Sequence, residues 1–376
     1  MVRFIHTADL QLGKAFQGVP GDAGARLRQA RLDALERLAA LAAERAVDFT
    51  LVAGDVFDAH TVGADVVAKA CDLLARFPSP VYLLPGNHDA ACGPGSIWRR
   101  RDLAAARPAI AVLLDEPAPV TVAGGRAVVL PAPLRERRAT GDTTAGWTAD
   151  TGRALAAGAI RIGLAHGSVA DFGGSDGEGD AENLVDPRAA ERAALDYLAL
   201  GDWHGCKEVG PRAWYPGSPE PTGFASAEPG LALLVEIDAP GAPPRVEKLQ
   251  VARTRWLRLA AALHAPADVD ALARELAALE RPADTVLELT VSGALPLAEL
   301  ARAEEAVAAA RARLLFVKEK GSIRPEASPD DLAAIAADGF VRAAVEALRS
   351  QAAGGSGEAA RALQILHRIS REVSPC

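Results

Sequence analysis

The sequence predicts an α/β protein: a layered sandwich, then a small second α/β domain and C-terminal helices. Three observations predict it. Strand-length apolar runs alternate with helical stretches over residues 1–240. After Pro240 the segment GAPPRVEKLQ breaks that pattern with Pro and Gly and reads as a junction. A shorter strand–helix alternation comes next, and the chain then becomes purely helical. The expected domains are therefore 1–240, 250–320 and 328–376.

Taken in order, the predicted strands of the large domain are Val2–Ile5, Phe49–Ala53, Val81–Leu84, Ile110–Leu114, Ala127–Leu130, Ile160–Ala165, Leu198–Leu200 and Leu231–Ile237. Between the first two, Leu27, Arg31, Ala34, Leu35, Leu38, Leu41 and Ala42 recur at helical spacing. Val66, Val67, Ala70, Leu73, Leu74 and Phe77 do the same between the second and third, so both stretches read as core-facing helices. Beyond the junction come an apolar stretch around Trp256, a helix through Val269, Leu272 and Leu276, a strand Thr285–Val291, a helix from Leu297 to about Arg311 and a strand Arg313–Val317. Leu332, Ile335, Phe340, Val341, Val345 and Leu348 then fit one helix, Gly354–Gly357 a hinge, and Leu363, Ile365 and Leu366 a last helix.

With 49% hydrophobic residues in 376, the chain can bury a large core, which excludes wholesale disorder. No apolar run is long enough to span a bilayer, and MVRFIHTADL lacks a secretory pattern, so a cytoplasmic protein without membrane association is expected. Cys71, Cys92, Cys206 and Cys376 show no CxxC spacing, which argues for reduced thiols rather than a disulfide framework or a zinc knuckle. The net charge of -8 argues against coating nucleic acid by bulk charge. That charge is uneven: residues 1–150 carry 17 basic and 17 acidic side chains, whereas residues 151–250 carry 8 and 15. The densest acidic run begins at DFGGSDGEGD and reads as a solvated loop.

The chemistry lies where the strands end. Five apolar runs are each followed at once by Asp, Asn, Gln or His: Asp9 to Gln11, GDVFD at Gly54–Asp58, GNHD at Gly86–Asp89, HGS at His166–Ser168, and GDWHG at Gly201–Gly205. In an open α/β sheet ligands bind beyond the carboxyl ends of the strands, so these clusters should converge in one site. Singly each has an ordinary explanation, Asp55 as a helix N-cap or His204 as a hydrogen-bonded core histidine; jointly and in this order they do not. Oxygen and imidazole donors without thiolate suit Mn, Fe, Mg or Zn in a mixed shell. Seven candidate ligands exceed one octahedron that keeps room for water, so two divalent ions fit better than one.

The order D-x-Q, GDxxD, GNHD, HG and GDxHG resembles the calcineurin-like metallophosphoesterase superfamily, whose pattern is D-x-H, GDxxD, GNH[DE], H and GHxH. Within it HTADLQLGKAF, DYLALGDWHG and WYPGSPEP resemble the SbcD-type nuclease subunit of a DNA repair exonuclease. The superfamily likeness covers about residues 1–240, and the layout beyond residue 240 resembles that nuclease family's capping domain and C-terminal helices. The resemblance implies one metal at Asp9, Gln11, Asp55 and His204 and a second at Asp55, Asn87, His166 and Asp202, with Asp55 bridging. It implies Mn²⁺ first, with Mg²⁺, Fe or Zn²⁺ as alternatives, and His88 as the residue that binds the phosphate and protonates the leaving oxygen. Asp58 and Asp89 would hold histidines and loop amides in place. His6, His60, His264 and His367 have no motif support and read as structural. Gln11 and Asp202 depart from the pattern, each standing where a histidine is usual, which leaves three carboxylates in the shell and hardens it toward Mn, Mg or Fe.

The resemblance further implies DNA as substrate, an SbcC-type coiled-coil ATPase docked on the C-terminal helices, and a homodimer. Arg99, Arg100 and Arg101 follow GNHD closely and are the candidate phosphate contacts, with Arg135, Arg137 and Arg138 as a second basic cluster. Two alternatives stand beside the nuclease: a phosphoesterase for nucleotides or other small phosphate esters, and a weakly metal-binding scaffold subunit.

Overall fold

A computed structural model describes residues 1–93, 95–169, 182–224, 228–326 and 340–373. The acidic run DFGGSDGEGD, and Leu332 and Ile335 of the predicted helical stripe, lie outside them. The chain divides into two compact units, Met1–Thr254 and Arg255–Cys376.

Strands are numbered along the chain. The first sheet of the N-terminal unit contains β1 (Val2–Thr7), β2 (Phe49–Val52), β3 (Val81–Leu83), β4 (Ala111–Leu113), β13 (Leu231–Ile237) and β14 (Arg245–Gln250), in the order β14-β13-β1-β2-β3-β4. β1 to β4 are mutually parallel, and β13 runs antiparallel to β1. The second sheet contains β5 (Val120–Val122), β6 (Ala127–Ala132), β7 (Ile160–His166), β10 (Tyr197–Gly201), β11 (Lys207–Gly210) and β12 (Ala213–Tyr215), in the order β11-β12-β10-β7-β6-β5. A ribbon of β8 (Ser168–Val169) and β9 (Leu184–Val185) stands apart. Helices α1 (Gly21–Glu44), α2 (Ala64–Leu74), α3 (Arg101–Ala106) and α4 (Ala189–Arg192) complete the unit.

The strands read as continuous apolar runs because both of their faces are buried. Along β1 and β2, Phe4 and Leu51 point between the two sheets while Ile5 and Val52 pack on Leu35 and Leu38 of α1 and Val67 of α2. In the second sheet Val129 and Ile162 face the first sheet, and Val128 and Leu198 pack beneath Trp147, Ala189 and Leu195. An aromatic ladder sets the contact between sheets: Phe4 stacks on Phe49 with centroids 5.0 Å apart and meets Tyr197 edge-on at 5.5 Å.

The segment GAPPRVEKLQ is not a junction, which corrects the sequence expectation. Its Pro and Gly residues form a hairpin turn, and Arg245–Gln250 returns as the outer strand β14 against β13. Four of the six residues of β14 are exposed, as suits an edge strand, while Val246 and Leu249 reach the core on opposite faces. The second unit contains β15 (Arg255–Leu263), α5 (Pro266–Ala277), β16 (Thr285–Pro296), α6 (Leu297–Arg313), β17 (Phe316–Gly321), β18 (Arg324–Glu326), α7 (Phe340–Ala353) and α8 (Gly357–Val373). β16 pairs in parallel with β15, β17 and β18, and Leu272, Leu276, Leu300 and Ala303 cover one face of the sheet. Arg313 closes α6 instead of opening a strand, so the expected strand at Arg313–Val317 begins three residues later. Leu297, Val345 and Leu363 pack together where α6, α7 and α8 meet. Among the described residues no helix is long and apolar enough to cross a membrane.

His6 is a core residue. A carbonyl can only accept, so His6 Nε2–H donates to Leu200 O (3.2 Å) and Nδ1 accepts from the Tyr197 hydroxyl (3.0 Å). Burial lowers its pKa to about 3, against the favourable Leu200 carbonyl. Between that value and the ordinary 6.5 the unfolded chain takes up a proton that the folded chain refuses, so this group's contribution is complete above 6.5 and falls as pH falls. Urea unfolding should therefore cost the wild type about 2 kcal/mol from this group between pH 7 and pH 5, at ~1.4 kcal/mol per pH unit. His6→Leu should show a correspondingly shallower decline; equal declines in the two proteins would refute the assignment.

Candidate metal centre

Every donor of the centre sits at the last residue of a strand or just past it. Asp9 and Gln11 follow β1, Asp55 follows β2, Asn87 and His88 follow β3, His166 closes β7, and Asp202 and His204 follow β10. The first two loops are zipped together: Asp9 N donates to Gly54 O (3.1 Å), Gln11 N to Asp55 O (2.8 Å) and Leu12 N to Val56 O (2.9 Å). Asp9, Gln11, Asp55 and Asp202 all adopt left-handed backbone angles, with φ of 53°, 41°, 53° and 102°. For non-glycine residues such angles cost on the order of 1–3 kcal/mol each and persist only where the surroundings impose them. Gly86 must lack a side chain, because a Cβ there would lie 2.2 Å from Asp55 Oδ1 and 2.4 Å from Asp55 N.

Arg31 imposes part of that geometry. It lies on α1 at a position in the apolar stripe and is 2% exposed. Its guanidinium donates to the carbonyls of Leu10 (2.7 Å), Gln11 (3.1 Å), Asp9 (2.9 Å) and Glu220 (3.0 Å) and to Ser218 Oγ (3.0 Å). Burial lowers its pKa, offset in part by Glu220, Asp58 and Asp9, yet at about 10 it remains a cation at neutral pH. The Glu220 carboxylate, also buried, accepts from Arg37 Nη2 (2.8 Å), Thr254 N (2.7 Å) and Thr254 Oγ1 (2.6 Å). Helical periodicity places Arg31 on a core-facing helix but assigns it no role; a lone arginine inside an i, i+4 apolar stripe is the signal.

The donors fall into two neighbourhoods. In one, Asp9 Oδ1 lies 3.7 Å and Gln11 Nε2 3.2 Å from His204 Nε2. In the other, His166 Nε2 lies 3.3 Å from Asn87 Oδ1, 3.6 Å from Asp55 Oδ1 and 3.7 Å from Asp202 Oδ1. Donor atoms of Asp9, Asp55 and His166 all lie within 4.8 Å of one another, so the two neighbourhoods meet. The histidines are held from behind. His166 Nδ1–H donates to Ala53 O (2.8 Å), leaving Nε2 to face the cluster, and His204 Nδ1 bonds Thr222 Oγ1 (2.9 Å). Asp202 N donates to Asp9 Oδ2 (3.2 Å), and Ser168 Oγ donates to Asp202 Oδ2 (3.0 Å).

The cluster fits a metal. Asp9 Oδ1 and Gln11 Oε1 are buried side-chain oxygens without a hydrogen-bond partner, a costly arrangement unless a cation meets them. Gln11 now points its amide nitrogen at His204, and a half-turn of the amide would bring Oε1 into the same space. The donor set is all oxygen and imidazole nitrogen, as hard divalent ions prefer. Electrostatics agree. Burial, reinforced by Asp55 and Asp202, raises the Asp9 pKa to about 8 against the lowering effect of His166. Burial opposes charge on His166, but Asp55, Asp9 and Asp202 outweigh it and raise its pKa to about 9. His204 is pushed the other way, to about 4, by burial and by Arg31, and stays neutral with a lone pair to give.

The remaining predicted residues separate. His88 Nδ1–H donates to the backbone carbonyl of Asp58 (2.8 Å), and its Nε2 lies 3.9 Å from Asp55 Oδ2. The Asp58 carboxylate takes Lys14 (3.1 Å), so it is the main chain of Asp58, not its side chain, that orients the histidine. Asp89 does bind loop amides, Gly86 N at 2.7 Å and Phe57 N at 3.0 Å, and burial raises its pKa to about 7. Trp98, just before the three arginines, is buried against Phe57 and donates to Asp89 O. Arg99 and Arg101 are exposed, whereas Arg100 is held by Asp102 and by the Val62 carbonyl and is not a free phosphate contact. Arg135 and Arg138 pair with Glu116 and Glu182. His60 accepts from Ile97 N (3.3 Å), His264 is exposed in the second unit, and the His367 side chain is outside the described residues.

Two six-stranded sheets with this cluster at their strand ends define a phosphoesterase sandwich. The calcineurin-like phosphoesterase family matches residues 2–206, more than half of the chain, and the protein belongs to that family. Over 92 residues the chain is 34% identical to the uncharacterized metallophosphoesterase YhaO of Bacillus subtilis (strain 168). That stretch is 23% of this chain and spans only 22% of the relative's length.

Divalent metal must displace the protons that Asp9 and His166 retain, so Mn²⁺ affinity should rise from pH 6 through about 9, with proton release visible as a buffer-dependent enthalpy in calorimetry. A pH-independent affinity would contradict it. Arg31→Met should destabilise the first unit by about 3–5 kcal/mol in denaturant titration, because it strands buried carbonyls.

Proposed function

We propose that the protein is a dinuclear-metal phosphodiesterase acting on DNA, an SbcD-like DNA repair exonuclease that works with an SbcC-type coiled-coil ATPase. The observation that carries the reading is the convergence of seven oxygen and nitrogen donors beside a histidine that is not one of them. Two divalent ions, Mn²⁺ first given three carboxylates, would polarise the phosphodiester and lower the pKa of an attacking water. The protein supplies the rest. Asp58 O accepts the His88 Nδ1–H and so turns Nε2 outward, and it is the doubly protonated ring that would give its Nε2 proton to the leaving oxygen and return to the neutral imidazole. Asp89 holds the loop that carries Asn87 and His88 by accepting from Gly86 and Phe57.

Support for DNA is separate from support for phosphoryl chemistry. The flanks of the site resemble those of SbcD-type nucleases, and Arg99 and Arg101 are exposed a short way beyond GNHD. Ile365 and Ile369 on α8, one helical turn apart, and Val341 on α7 are exposed large hydrophobics that suit an ATPase partner in a helix-in-groove contact. A homodimer is part of the same reading.

With Mn²⁺ and linear duplex DNA, His88→Ala should lower kcat by about 10²–10⁴ while leaving Mn²⁺ stoichiometry unchanged. Arg99→Ala with Arg101→Ala should raise KM in a salt-dependent manner, and Arg100→Ala should do so less. Hydrolysis of small phosphate esters without cleavage of DNA would favour the small-substrate phosphoesterase, and less than one metal per chain would favour the scaffold.

A further inference from the structure

Trp203 stands between Asp202 and His204 in sequence and is 40% exposed. Among the described residues of the first unit only Met1, Leu155 and Trp203 are large hydrophobics left exposed, and of these Trp203 alone is next in sequence to donors of the cluster. An exposed aromatic on a mobile loop would mean little. This one is held at both ends.

On the N-terminal side, Gly201 is paired in register with His166, and a Cβ there would lie 1.7 Å from Ala53 O. Asp202 is fixed through its amide to Asp9 and through its carboxylate to Ser168. On the C-terminal side, the His204 carbonyl accepts from Ser218 N (3.1 Å), its ring bonds Thr222, and Cys206 N donates to Glu228 O (3.1 Å). The backbone of Trp203 is therefore as well fixed as the donors on either side of it.

The ring is also charged from one side. Lys207 Nζ lies 5.0 Å from its centroid, within cation–π range. The ammonium orders the indole, and its positive charge favours a phosphate nearby. A planar ring has two faces, and Lys207 takes only one.

Resting on the phosphodiesterase reading, we propose that Trp203 is a nucleobase platform. The base of the nucleotide whose phosphate meets the metal cluster stacks on the indole, and Lys207 backs the ring and draws the adjoining phosphate. Trp203 lies one peptide unit, about 3.8 Å between Cα atoms, from Asp202 and from His204, so its side chain springs from the same short stretch of backbone as two donors. Stacking accepts every base, because each has a π-face, so the platform selects nucleotides over aliphatic phosphodiesters without selecting sequence.

The test pairs two duplexes that are identical except that the terminal nucleotides of one carry a tetrahydrofuran in place of the base. The wild type with Mn²⁺ should cleave the normal end with a kcat/KM about tenfold above the abasic end. Trp203→Ala should cut the normal end about tenfold less efficiently and lose the preference, while Trp203→Phe should keep most of it. Anisotropy binding of both duplexes in EDTA should rank the three proteins in the same order, and Mn²⁺ binding by electron paramagnetic resonance should be equal in all three. If the wild type cleaves both ends equally and Trp203→Ala changes neither, the platform is refuted and the phosphodiesterase reading stands. If the wild type hydrolyses no phosphodiester, both fall together.

Discussion

The structure depends on a cation placed where water cannot reach it. Arg31 is buried beneath the loop that carries Asp9 and Gln11, and five oxygen acceptors surround its guanidinium. Burying such a charge is favourable only when its donors are nearly all used, and here they bind three consecutive carbonyls of the loop. Those bonds require the chain at residues 9 to 11 to turn back on itself, which is why Asp9 and Gln11 adopt angles that side chains ordinarily avoid. The same guanidinium reaches Ser218 and the Glu220 carbonyl, and the Glu220 carboxylate continues to Arg37 and Thr254. Removing the cation would leave carbonyls stranded on both sides.

Above that brace the centre is assembled from two sheets. β1, β2 and β3 supply Asp9, Gln11, Asp55, Asn87 and His88, while β7 and β10 supply His166, Asp202 and His204. Their separation is set some distance away, by Phe4, Phe49 and Tyr197 in the core between the sheets. His6 ties the same core to the end of β10 through Tyr197 and Leu200, one residue before the glycine that precedes Asp202. Packing and chemistry are thus continuous, and the position of His166 relative to Asp55 is a property of the sandwich rather than of either loop.

Much of this is legible in the sequence because its causes are local. Strands buried on both faces stand out as short apolar runs, and the Asp, Asn and His clusters that end them have no other reason to recur five times. The features that stay hidden depend on partners far away in sequence. Gly241 to Pro244 has the composition of a linker or of a hairpin, and only the pairing of β14 with β13 decides between them. Trp98 and Arg100 sit in a run that looks uniformly exposed, yet one is buried on Phe57 and the other is taken by Asp102 and Val62. Arg31 is visible as a periodic residue but not as a brace, since four of its five acceptors are backbone carbonyls, which carry no side-chain signature.

The strained backbone of the centre also constrains how its sequence can drift. A residue at position 9, 55 or 202 meets two independent demands, a polar side chain that joins the cluster and a backbone that tolerates a positive φ. Few side chains meet both: Asp, Asn and His offer a donor and are the non-glycine residues most enriched in the left-handed region. Exchange among those three letters can therefore change the charge of the centre while leaving its loops intact. An aspartate at 202 in place of the family's usual histidine is such an exchange. Gln11, at φ 41°, is outside that enriched set, so its position depends the more on the bonds that hold the loop.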